Sequence, residues 1–586
     1  MQRSFFWSRQ TPLRGRLSLA NGLIAVALAL LCAGWLTREH FLPWVSWHSE
    51  AAAFAAVLLT CWVGVARPLH GKQASPIAVP RLALPLLGFI AVAMVQFTAG
   101  FLPFLGDLVA VIFYSVLCLA CMILGFNSKQ IEEQCAPCRS SKHPADLLAI
   151  TILTGALASA VMGCAQVFGI WEGSGWIVQS PELRRAVGNL GQPNQLATLI
   201  VMGLASVAYL HASEKLRSLT SVMIVFVLCA GLAATESRTG AIELAVVLLW
   251  WQVKRRDVAN DVSGWAAPAV GLAFAAMFFL WPTLLNAMQL VGAEAVNRFA
   301  QGDVRLAVWT QLLEAIWIHP LRGWGILQVT EAHNAVAHDY PINNPFSYSH
   351  NLIMDWAVWM GLPIALVMVF AAAVWLWHRC RQTRQLLPWY GVAVAAALAT
   401  HSMFEFPYAY AYFLAPVMYL LGVLEQSSGS KTLVRVKRPV AAIMLLSVTG
   451  ALGWSAVEYL GIEEDFRIVR FEQLRIGRTP DNQPRPNIIM FTQLGALLSG
   501  SRIELSPNMS VEKLEQLRRL ALRYPWVATQ YRYALALALN GNGPEAVRQL
   551  QVIRWQRGEK LYQKIKREIS GLAQSRYAEL RTLQLP

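Results

Sequence analysis

Apolar stretches of about 20 residues recur along this chain, and this pattern restricts its fold more than any other feature. A helix of that length crosses the hydrocarbon core of a bilayer and satisfies its own backbone hydrogen bonds there. We therefore predict an all-α, polytopic helical membrane protein with about twelve or thirteen spans. The predicted spans are 17–36, 50–66, 82–100, 106–126, 146–168, 194–211, 218–235, 239–252, 265–282, 350–377, 387–404, 409–425 and 438–457.

Composition agrees with a protein that lies mainly in lipid. Hydrophobic residues make up 56% of the chain and charged residues only 14%. The formal net charge is +15, but the basic residues occur in short clusters between the apolar runs. Such clusters are typical of cytoplasmic loops, whereas nucleic-acid binding needs a continuous basic surface. We therefore expect a lipid bilayer, and no nucleic acid, as a partner of this chain.

The same clusters predict how the chain is oriented. Every second gap between predicted spans is basic, for example the gap that contains Lys254, Arg255 and Arg256. This alternation predicts a cytoplasmic N-terminus. It places the long connection 283–349 and all residues after about Glu458 on the outward face.

Near Glu458 the apolar density falls and the charge rises, which predicts a boundary between two domains. We assign 1–457 to a membrane domain and 458–586 to an outward, helical C-terminal domain. Amphipathic patterns predict helices at 510–523, 526–540 and 543–580. The run from Tyr531 to Ala546 resembles the helix–turn–helix unit of tetratricopeptide repeats.

The connection 283–349 is the segment where chemistry is expected, because membrane proteins mostly join their spans by short loops. It contains Arg305 on a predicted amphipathic helix that ends at His319–Pro320. Arg305 could equally be an ordinary exposed arginine on that helix. His319, His333 and His338 lie in the same connection.

The chain returns into the membrane at His350, which opens an apolar helix and is flanked by Ser349 and Asn351. The dipole at a helix N-terminus disfavours the protonated imidazole, so this histidine can serve as a base near neutral pH. Ser349 or Asn351 is expected to fix its tautomer. Asp355 does not share a helix face with His350, but an ionisable group inside a predicted span is a site candidate.

Two further candidate sites precede spans. Residues 184–195 form a Gly- and Pro-containing turn that fits either a polar cradle or a plain helix entry with Asn194 near the N-cap. Arg238 lies in a tight Ser/Thr/Gly turn, which favours a fixed guanidinium over one that extends to the headgroups. The candidates in the first turn are Arg184, Arg185, Asn189, Gln192 and Asn194.

Arginines beside a base, with no carboxylate set spaced like a magnesium site, indicate a particular chemistry. Guanidinium groups neutralise phosphate oxygens without a metal ion. A diphosphate leaving group attached to a lipid would lie at this depth, and a histidine would deprotonate the incoming hydroxyl. We expect a metal-independent reaction without a cofactor.

Several segments together resemble PglL-type bacterial protein O-oligosaccharyltransferases, which belong to the O-antigen ligase and polymerase superfamily. The resemblance covers nearly the whole chain and rests on the order and spacing of the motifs. These are Gly188–Asn194, Ser237–Gly240, His319–Gly325, Ser349–Pro363 and His401–Phe413.

The resemblance implies a GT-C-like glycosyltransferase of the bacterial inner membrane with its active site on the periplasmic face. It implies transfer of an oligosaccharide en bloc from an undecaprenyl diphosphate carrier to Ser or Thr of a periplasmic or pilin-like protein. The essential histidine and two arginines of the superfamily correspond to His350, Arg238 and Arg305. Where the family often has histidine after the Gly-Gln-Pro-Asn turn, this chain has Gln195. A glutamine can form hydrogen bonds at that position, but it does not transfer protons as a histidine does.

Two alternatives remain at this stage. One is an O-antigen ligase or polymerase that acts on lipid A core or on a growing glycan, although such enzymes need no large outward domain. The other is a lipid-glycan transporter, although no repeated halves are evident and the charges gather at one face. We expect 458–586, which contains no histidine, to present the acceptor protein without taking part in the chemical step.

Overall fold

A computed structural model describes residues 11–66, 75–129, 144–170, 173–178, 185–259, 262–290, 304–337, 344–480 and 482–585. In these ranges the regular secondary structure is helical apart from two short strands, which confirms the all-α prediction. Apolar stretches become helices because a helix pairs every backbone amide inside its own segment. Helices in the first half of the chain are α1 (Thr11–Leu36), α2 (Trp47–Ala66), α3 (Ala83–Thr98), α4 (Leu105–Phe126), α5 (Pro144–Val167), α6 (Pro193–Ala212), α7 (Ser218–Ala234), α8 (Arg238–Val258) and α9 (Ala266–Ala287).

The second half contains shorter helices before and after the last long spans. They are α10 (Val304–Ile318), α11 (Val329–Val336), α12 (Leu352–Met360), α13 (Leu362–Gln382), α14 (Leu386–His401), α15 (Ala411–Ser427), α16 (Arg438–Leu474), α17 (Thr492–Arg502), α18 (Val511–Arg523), α19 (Val527–Leu539), α20 (Gly543–Arg557) and α21 (Glu559–Ser575). Short 3₁₀ turns lie at Gly188–Leu190, Pro407–Ala409 and Ala578–Thr582.

Eight described helices are long and apolar enough to cross a membrane: α1, α2, α4, α5, α6, α9, α13 and α16. Three shorter apolar helices, α3, α7 and α14, coincide with further predicted spans. The remaining predicted spans, 239–252 and 409–425, coincide with α8 and α15. The chain is therefore a multi-pass membrane protein.

Helices α5, α7, α8 and α14 pack around α6, which is buried along most of its length. Close crossings use glycine, as expected where helices pack without a hydrophobic driving force. At the crossing of α4 and α15, a Cβ on Gly125 would lie 1.9 Å from the carbonyl oxygen of Tyr419, and one on Gly422 would lie 2.1 Å from that of Met122. Only glycine permits this separation of the two helices.

One small sheet accompanies the helices. Strands β1 (Ile77–Pro80) and β2 (Thr432–Val436) pair antiparallel, with Ile77 opposite Val436 and Pro80 opposite Thr432. The two strands precede α3 and α16, so the pairing ties the starts of two distant helices together.

The predicted span 350–377 was wrong as a single helix, because the chain breaks at Gly361 between α12 and α13. Gly361 has a φ of +78°, and a Cβ there would lie 2.5 Å from the backbone of Leu321. The 319–325 segment fills the break, since the amide of Leu362 donates to Pro320 O at 2.7 Å and that of Trp324 to Val358 O at 2.7 Å. The predicted helix 543–580 is likewise divided, at Gly558 with a φ of +86°.

One side of the membrane helices is covered by α10, α11 and α12 and by the C-terminal helices, which are α17–α21. We call this the loop side. Nδ1 of His333 on α11 lies 3.1 Å from Nε2 of Gln556, and Asn334 contacts Gln549 at 3.3 Å. Arg523 forms an ion pair of 2.8 Å with the buried Asp107 at the start of α4. The C-terminal helices are therefore packed against both the connection and the membrane helices.

Helix α16 runs without interruption through the predicted domain boundary at 457/458. At about 1.5 Å per residue its 37 residues extend for about 55 Å, well beyond a hydrocarbon core of about 30 Å. Its second half packs under α17 through Tyr459, Ile462 and Phe466. One helix thus connects the membrane to the C-terminal helices.

Candidate active site

A buried carboxylate on the loop side, Glu405, brings together residues from three distant parts of the chain. Its Oε2 lies 2.6 Å from Nδ1 of His350, and its Oε1 lies 2.7 Å from Nη2 of Arg305. The amide of Asn194 also donates to Oε1, at 3.2 Å. Three of the predicted site residues therefore meet at one group that the sequence predictions did not include.

The charges around Glu405 fix its ionisation. Burial alone would raise the pKa of this carboxyl, but His350 and Arg305 outweigh burial and lower the pKa to about 2. Glu405 is therefore a carboxylate at neutral pH, and it lies beside Nδ1 of His350. A neutral imidazole with its proton on Nδ1, next to this carboxylate, has its lone pair on Nε2, which is the form that a general base requires.

His350 has a strained backbone. Its φ is +60°, the left-handed region that residues other than glycine seldom adopt and that often occurs at functional sites. Asn351, the next residue, caps α12 by accepting hydrogen bonds from the amides of Ile353 and Met354 at 3.0 and 3.1 Å. The strained turn therefore ends directly in a capped helix, which gives the ring a rigid support.

Asp355 stabilises this turn through hydrogen bonds to both of its carboxylate oxygens. It is buried, and its Oδ1 accepts from the amide of Ser349 at 2.7 Å while Oδ2 accepts from the hydroxyl of Tyr408. The hydroxyl of Ser349 donates to Asn351 O. The expectation that Ser349 or Asn351 fixes the His350 tautomer was wrong, because the group at Nδ1 is Glu405.

Arg305 lies in the first turn of α10, as the helical pattern predicted, and α10 ends at Ile318, directly before His319–Pro320. The indole of Trp309 on the same helix donates to Ser349 O at 2.9 Å. The helix that carries Arg305 is therefore attached to the turn that carries His350.

Arg238 is the first residue of α8, and its side chain is exposed. Ser237 caps the helix by accepting from the amide of Gly240, and its hydroxyl donates to Oδ1 of Asn194 at 2.6 Å. Because Asn194 also binds Glu405, a continuous series of hydrogen bonds connects the start of α8 to the carboxylate that holds Arg305. The helix N-terminus adds partial positive charge beside Arg238.

The other candidates of the 184–195 turn have structural contacts. Asn189 is buried and bonds to backbone atoms of Leu36, Trp176 and Val178. Gln192 is the N-cap of α6 and accepts from the amide of Gln195 at 2.7 Å, so Asn194 lies near the N-cap, in the first turn of the helix.

Arg185 also bonds to the backbone, since its Nε donates to Thr235 O at 3.0 Å. Arg184 lies outside the described residues. Within the described part of the chain, no group of three or more His, Cys, Asp or Glu side chains is arranged to hold a metal ion.

The two described histidines of the connection, His319 and His333, contact other groups than Glu405. His319 is beside Arg322 and against the ring of Trp324. His333 is buried against the C-terminal helices, and burial lowers its pKa to about 4. His338 lies outside the described residues.

Sequence reasoning missed Glu405 as a site residue, although one signal was present. A lone carboxylate in the apolar run His401–Phe413, between two predicted spans, is unusual and needs a partner.

Three family models match parts of the chain. Residues 186–211 match a protein glycosylation ligase family, residues 223–369 an O-antigen ligase family, and residues 389–568 the C-terminal part of a virulence factor membrane-bound polymerase family. The matched ranges contain Asn194, Arg238, Arg305, His350 and Glu405.

Two curated proteins of Acinetobacter baylyi are similar to this chain. A general O-oligosaccharyltransferase is 23% identical over 549 residues, which cover 90% of this chain and 91% of that protein. A ComP-specific O-oligosaccharyltransferase is 26% identical over 360 residues, or 59% of this chain and 62% of that protein.

Proposed function

We propose that this chain is a glycosyltransferase of the PglL type and that it transfers an oligosaccharide en bloc from undecaprenyl diphosphate to a Ser or Thr hydroxyl of a protein. The observation that carries the proposal is the contact between Glu405 and both His350 and Arg305. This contact supports the proposal, because an imidazole and a guanidinium lie against the two oxygens of one carboxylate.

In the proposed step, the acceptor hydroxyl oxygen attacks the anomeric carbon of the sugar next to the diphosphate. Its proton moves to Nε2 of His350 as the new C–O bond forms. The bond from the anomeric carbon to the diphosphate oxygen breaks, and the diphosphate leaves with the electron pair, still attached to its lipid. General base catalysis of this kind contributes about 10²–10⁴-fold.

We assign the leaving diphosphate to Arg305 and Arg238. A guanidinium has five donors in a planar fork, so Arg305 can bind phosphate oxygens while it also contacts Glu405. The exposed Arg238 and the amides at the start of α8 offer a second set of donors. The reaction then needs no metal ion.

We further propose that the loop side is the periplasmic side of the bacterial inner membrane. The alternation of Lys and Arg clusters supports this orientation. The C-terminal helices lie on the same side as His350, which is where a periplasmic or pilin-like acceptor protein would approach.

Reconstitution tests the proposal directly. The purified protein in liposomes, supplied with an undecaprenyl diphosphate-linked oligosaccharide and a pilin-like acceptor, should give a glycosylated protein detectable by mass spectrometry. Transfer should continue in the presence of chelators and stop in His350→Ala. A wild-type preparation that binds the donor but modifies no protein would overturn the assignment.

The O-antigen ligase match over 223–369 favours one second candidate, a ligase that transfers the glycan to lipid A core. The same liposomes separate the two, because lipid A core and the protein can be offered in competition. We expect transfer to the protein.

A further inference from the structure

Helix α10 has two apolar faces, and only one of them is buried. The buried face packs against α11 and α12 and consists of Val308, Leu312, Ala315 and Ile316. The second face, here called the outer stripe, consists of Leu306, Leu313 and Trp317. Apolar residues on opposite sides of one helix are usual in a protein core or in lipid, whereas a helix that borders water has a polar outer face.

The outer stripe is a continuous apolar surface. Its three residues follow one another at i, i+7 and i+11, which places them within an arc of about 40° at 3.6 residues per turn. Leu306, Leu313 and Trp317 are 63%, 49% and 67% exposed. Ala307 and Glu314 are also exposed but lie outside this arc, so α10 has a separate strip that suits water. An exposed apolar surface beside a polar strip marks a site of contact with a partner or a membrane.

Both ends of α10 are attached to the loop-side ends of membrane helices. At its start, Arg305 contacts Glu405, which follows α14, at 2.7 Å. Just after its end, the carbonyl oxygen of Pro320 accepts from the amide of Leu362, the first residue of α13, at 2.7 Å. Because α13 is long and apolar enough to cross the membrane, its first residue lies where the hydrocarbon core ends. Helix α10 therefore lies across the ends of the spans, at the level of the bilayer surface.

The outer stripe is continuous with a surface that faces lipid. The exposed Leu321 follows Trp317 by four residues, and its backbone packs against Gly361, directly before α13. Helix α13 in turn exposes large apolar side chains, among them Phe370, as a helix in contact with lipid does. An indole such as that of Trp317 is typical of the level where the hydrocarbon meets the headgroups. The bilayer is therefore the occupant that this continuity favours.

We infer that α10 is a membrane-surface helix whose outer stripe is covered by the phospholipids of the loop-side leaflet. The connection 283–349 is then anchored to the bilayer through this helix and is not a loop surrounded by water. Arg305 directly precedes Leu306, so the anchored helix holds that guanidinium at the depth of the lipid headgroups. This placement does not depend on which molecule accepts the glycan.

Photo-crosslinking from single positions of α10 tests this without any turnover. The full-length protein, with a benzophenone amino acid in place of Leu306, Leu313 or Trp317, is reconstituted in liposomes of phosphatidylethanolamine and phosphatidylglycerol and irradiated. Mass spectrometry should find phospholipid adducts at all three positions, as at the lipid-facing Phe370. The same amino acid at Glu314 or Ala307, on the strip that suits water, is the matched control and should give about three- to tenfold less lipid adduct.

A charge on the outer stripe should detach the helix from the lipid. With the crosslinker at Trp317, Leu313→Glu should lower the yield of phospholipid adduct about tenfold, because a carboxylate replaces a leucine that favours lipid over water. Ala307→Glu adds the same charge to the strip that suits water and should leave the yield unchanged. Both positions are exposed, so an unchanged thermal unfolding temperature in detergent shows that each variant is folded. If Leu313→Glu fails this check, the yields at the five crosslinking positions of α10 decide.

Three outcomes would overturn the assignment to lipid. Adducts of twice the protein mass from the outer stripe would identify a second copy of this chain as its cover. Adducts with a pilin-like protein, formed only when that protein is added, would identify the acceptor instead. Equal lipid yields from the outer stripe and from Glu314 would show that α10 does not lie in the bilayer surface. A protein that gives the expected lipid adducts but transfers no glycan would contradict the proposed function and leave the membrane-surface helix intact.

Discussion

Nδ1 of His350 lies 2.6 Å from Oε2 of Glu405, although two membrane helices, α13 and α14, separate these residues along the chain. In the proposed reaction, this contact holds the ring proton on Nδ1 and leaves Nε2 to act as the base. It makes the carboxylate a positioning group for the proposed base, in the same relation that an aspartate has to the histidine of a serine protease triad.

Glu405→Gln should lower kcat for transfer by about 10²-fold, because the amide loses the charge that holds the proton on Nδ1. Glu405→Asp should retain more activity than Gln, since it restores the charge at the cost of a longer contact. The measurement is kcat and donor KM in the liposome assay. A Gln variant with wild-type kcat would show that the tautomer is fixed in another way.

Arg305→Lys and Arg238→Lys should be nearly as harmful as the corresponding alanine variants. Lysine keeps the charge but cannot bind two phosphate oxygens with one planar fork. Arg322→Lys is a suitable control, because Arg322 is exposed and lies over the ring of Phe101, away from Glu405. Full activity of the two lysine variants would reduce Arg305 and Arg238 to a general electrostatic role.

Arg523→Leu should destabilise the packing of the C-terminal helices by about 3–5 kcal/mol, because it leaves the buried Asp107 without its partner. We expect faster proteolysis after Leu474 and a loss of transfer to protein. The double variant Asp107→Leu/Arg523→Leu should recover stability. Arg467→Leu is the control, because it breaks an exposed pair with Glu464 and should have little effect on stability. Equal destabilisation by Arg523→Leu and Arg467→Leu would contradict the role of the buried pair.

Acidification should weaken the contact between α11 and the C-terminal helices. The pKa of His333 falls from 6.5 to about 4 through burial, so the unfolded state binds the proton first as the pH decreases. Stability is therefore full above about pH 6.5 and decreases by about 1.4 kcal/mol per pH unit down to about pH 4.

His333→Asn keeps an acceptor for Gln556 and should remove this slope, as measured by thermal unfolding between pH 7 and 5. The exposed His378 provides a control, and its change to Asn should leave the slope intact. A slope that persists in His333→Asn would assign the pH dependence to another group.

The sequence predicted the all-α fold and most of the helices, because hydropathy is a local property that a run of residues carries by itself. The break at Gly361 escaped this reasoning, since it depends on the backbone of Leu321 reaching the same point. The sequence identified His350, Arg238 and Arg305 as candidates, because each lies in a recognisable local motif. Glu405 was not, because its contacts come from α10, α6 and the turn before α12, and no local pattern records such pairing.

The C-terminal helices have a further relation to the site through aromatic contacts. Gln556 contacts His333, whose ring is edge-on to Phe346 at 5.8 Å, and Phe346 is edge-on to His350 at 5.5 Å. Deleting 510–586 would therefore expose residues that support the base. We expect such a deletion to impair transfer to small hydroxyl acceptors as well as to proteins, so exposed surface variants are the better test of acceptor docking.

Helix α16 has a geometric consequence for the acceptors that we propose. Because α16 is one continuous helix from its membrane-spanning part to α17, we expect the C-terminal helices to keep a nearly constant height above the membrane. An acceptor protein bound to those helices would have to reach His350 across a fixed distance, so that distance would select the residue that is modified. Which serine or threonine is modified would then depend on how far it lies from the docked surface of the acceptor, and lengthening a linker between the two should move the modified site along the acceptor chain.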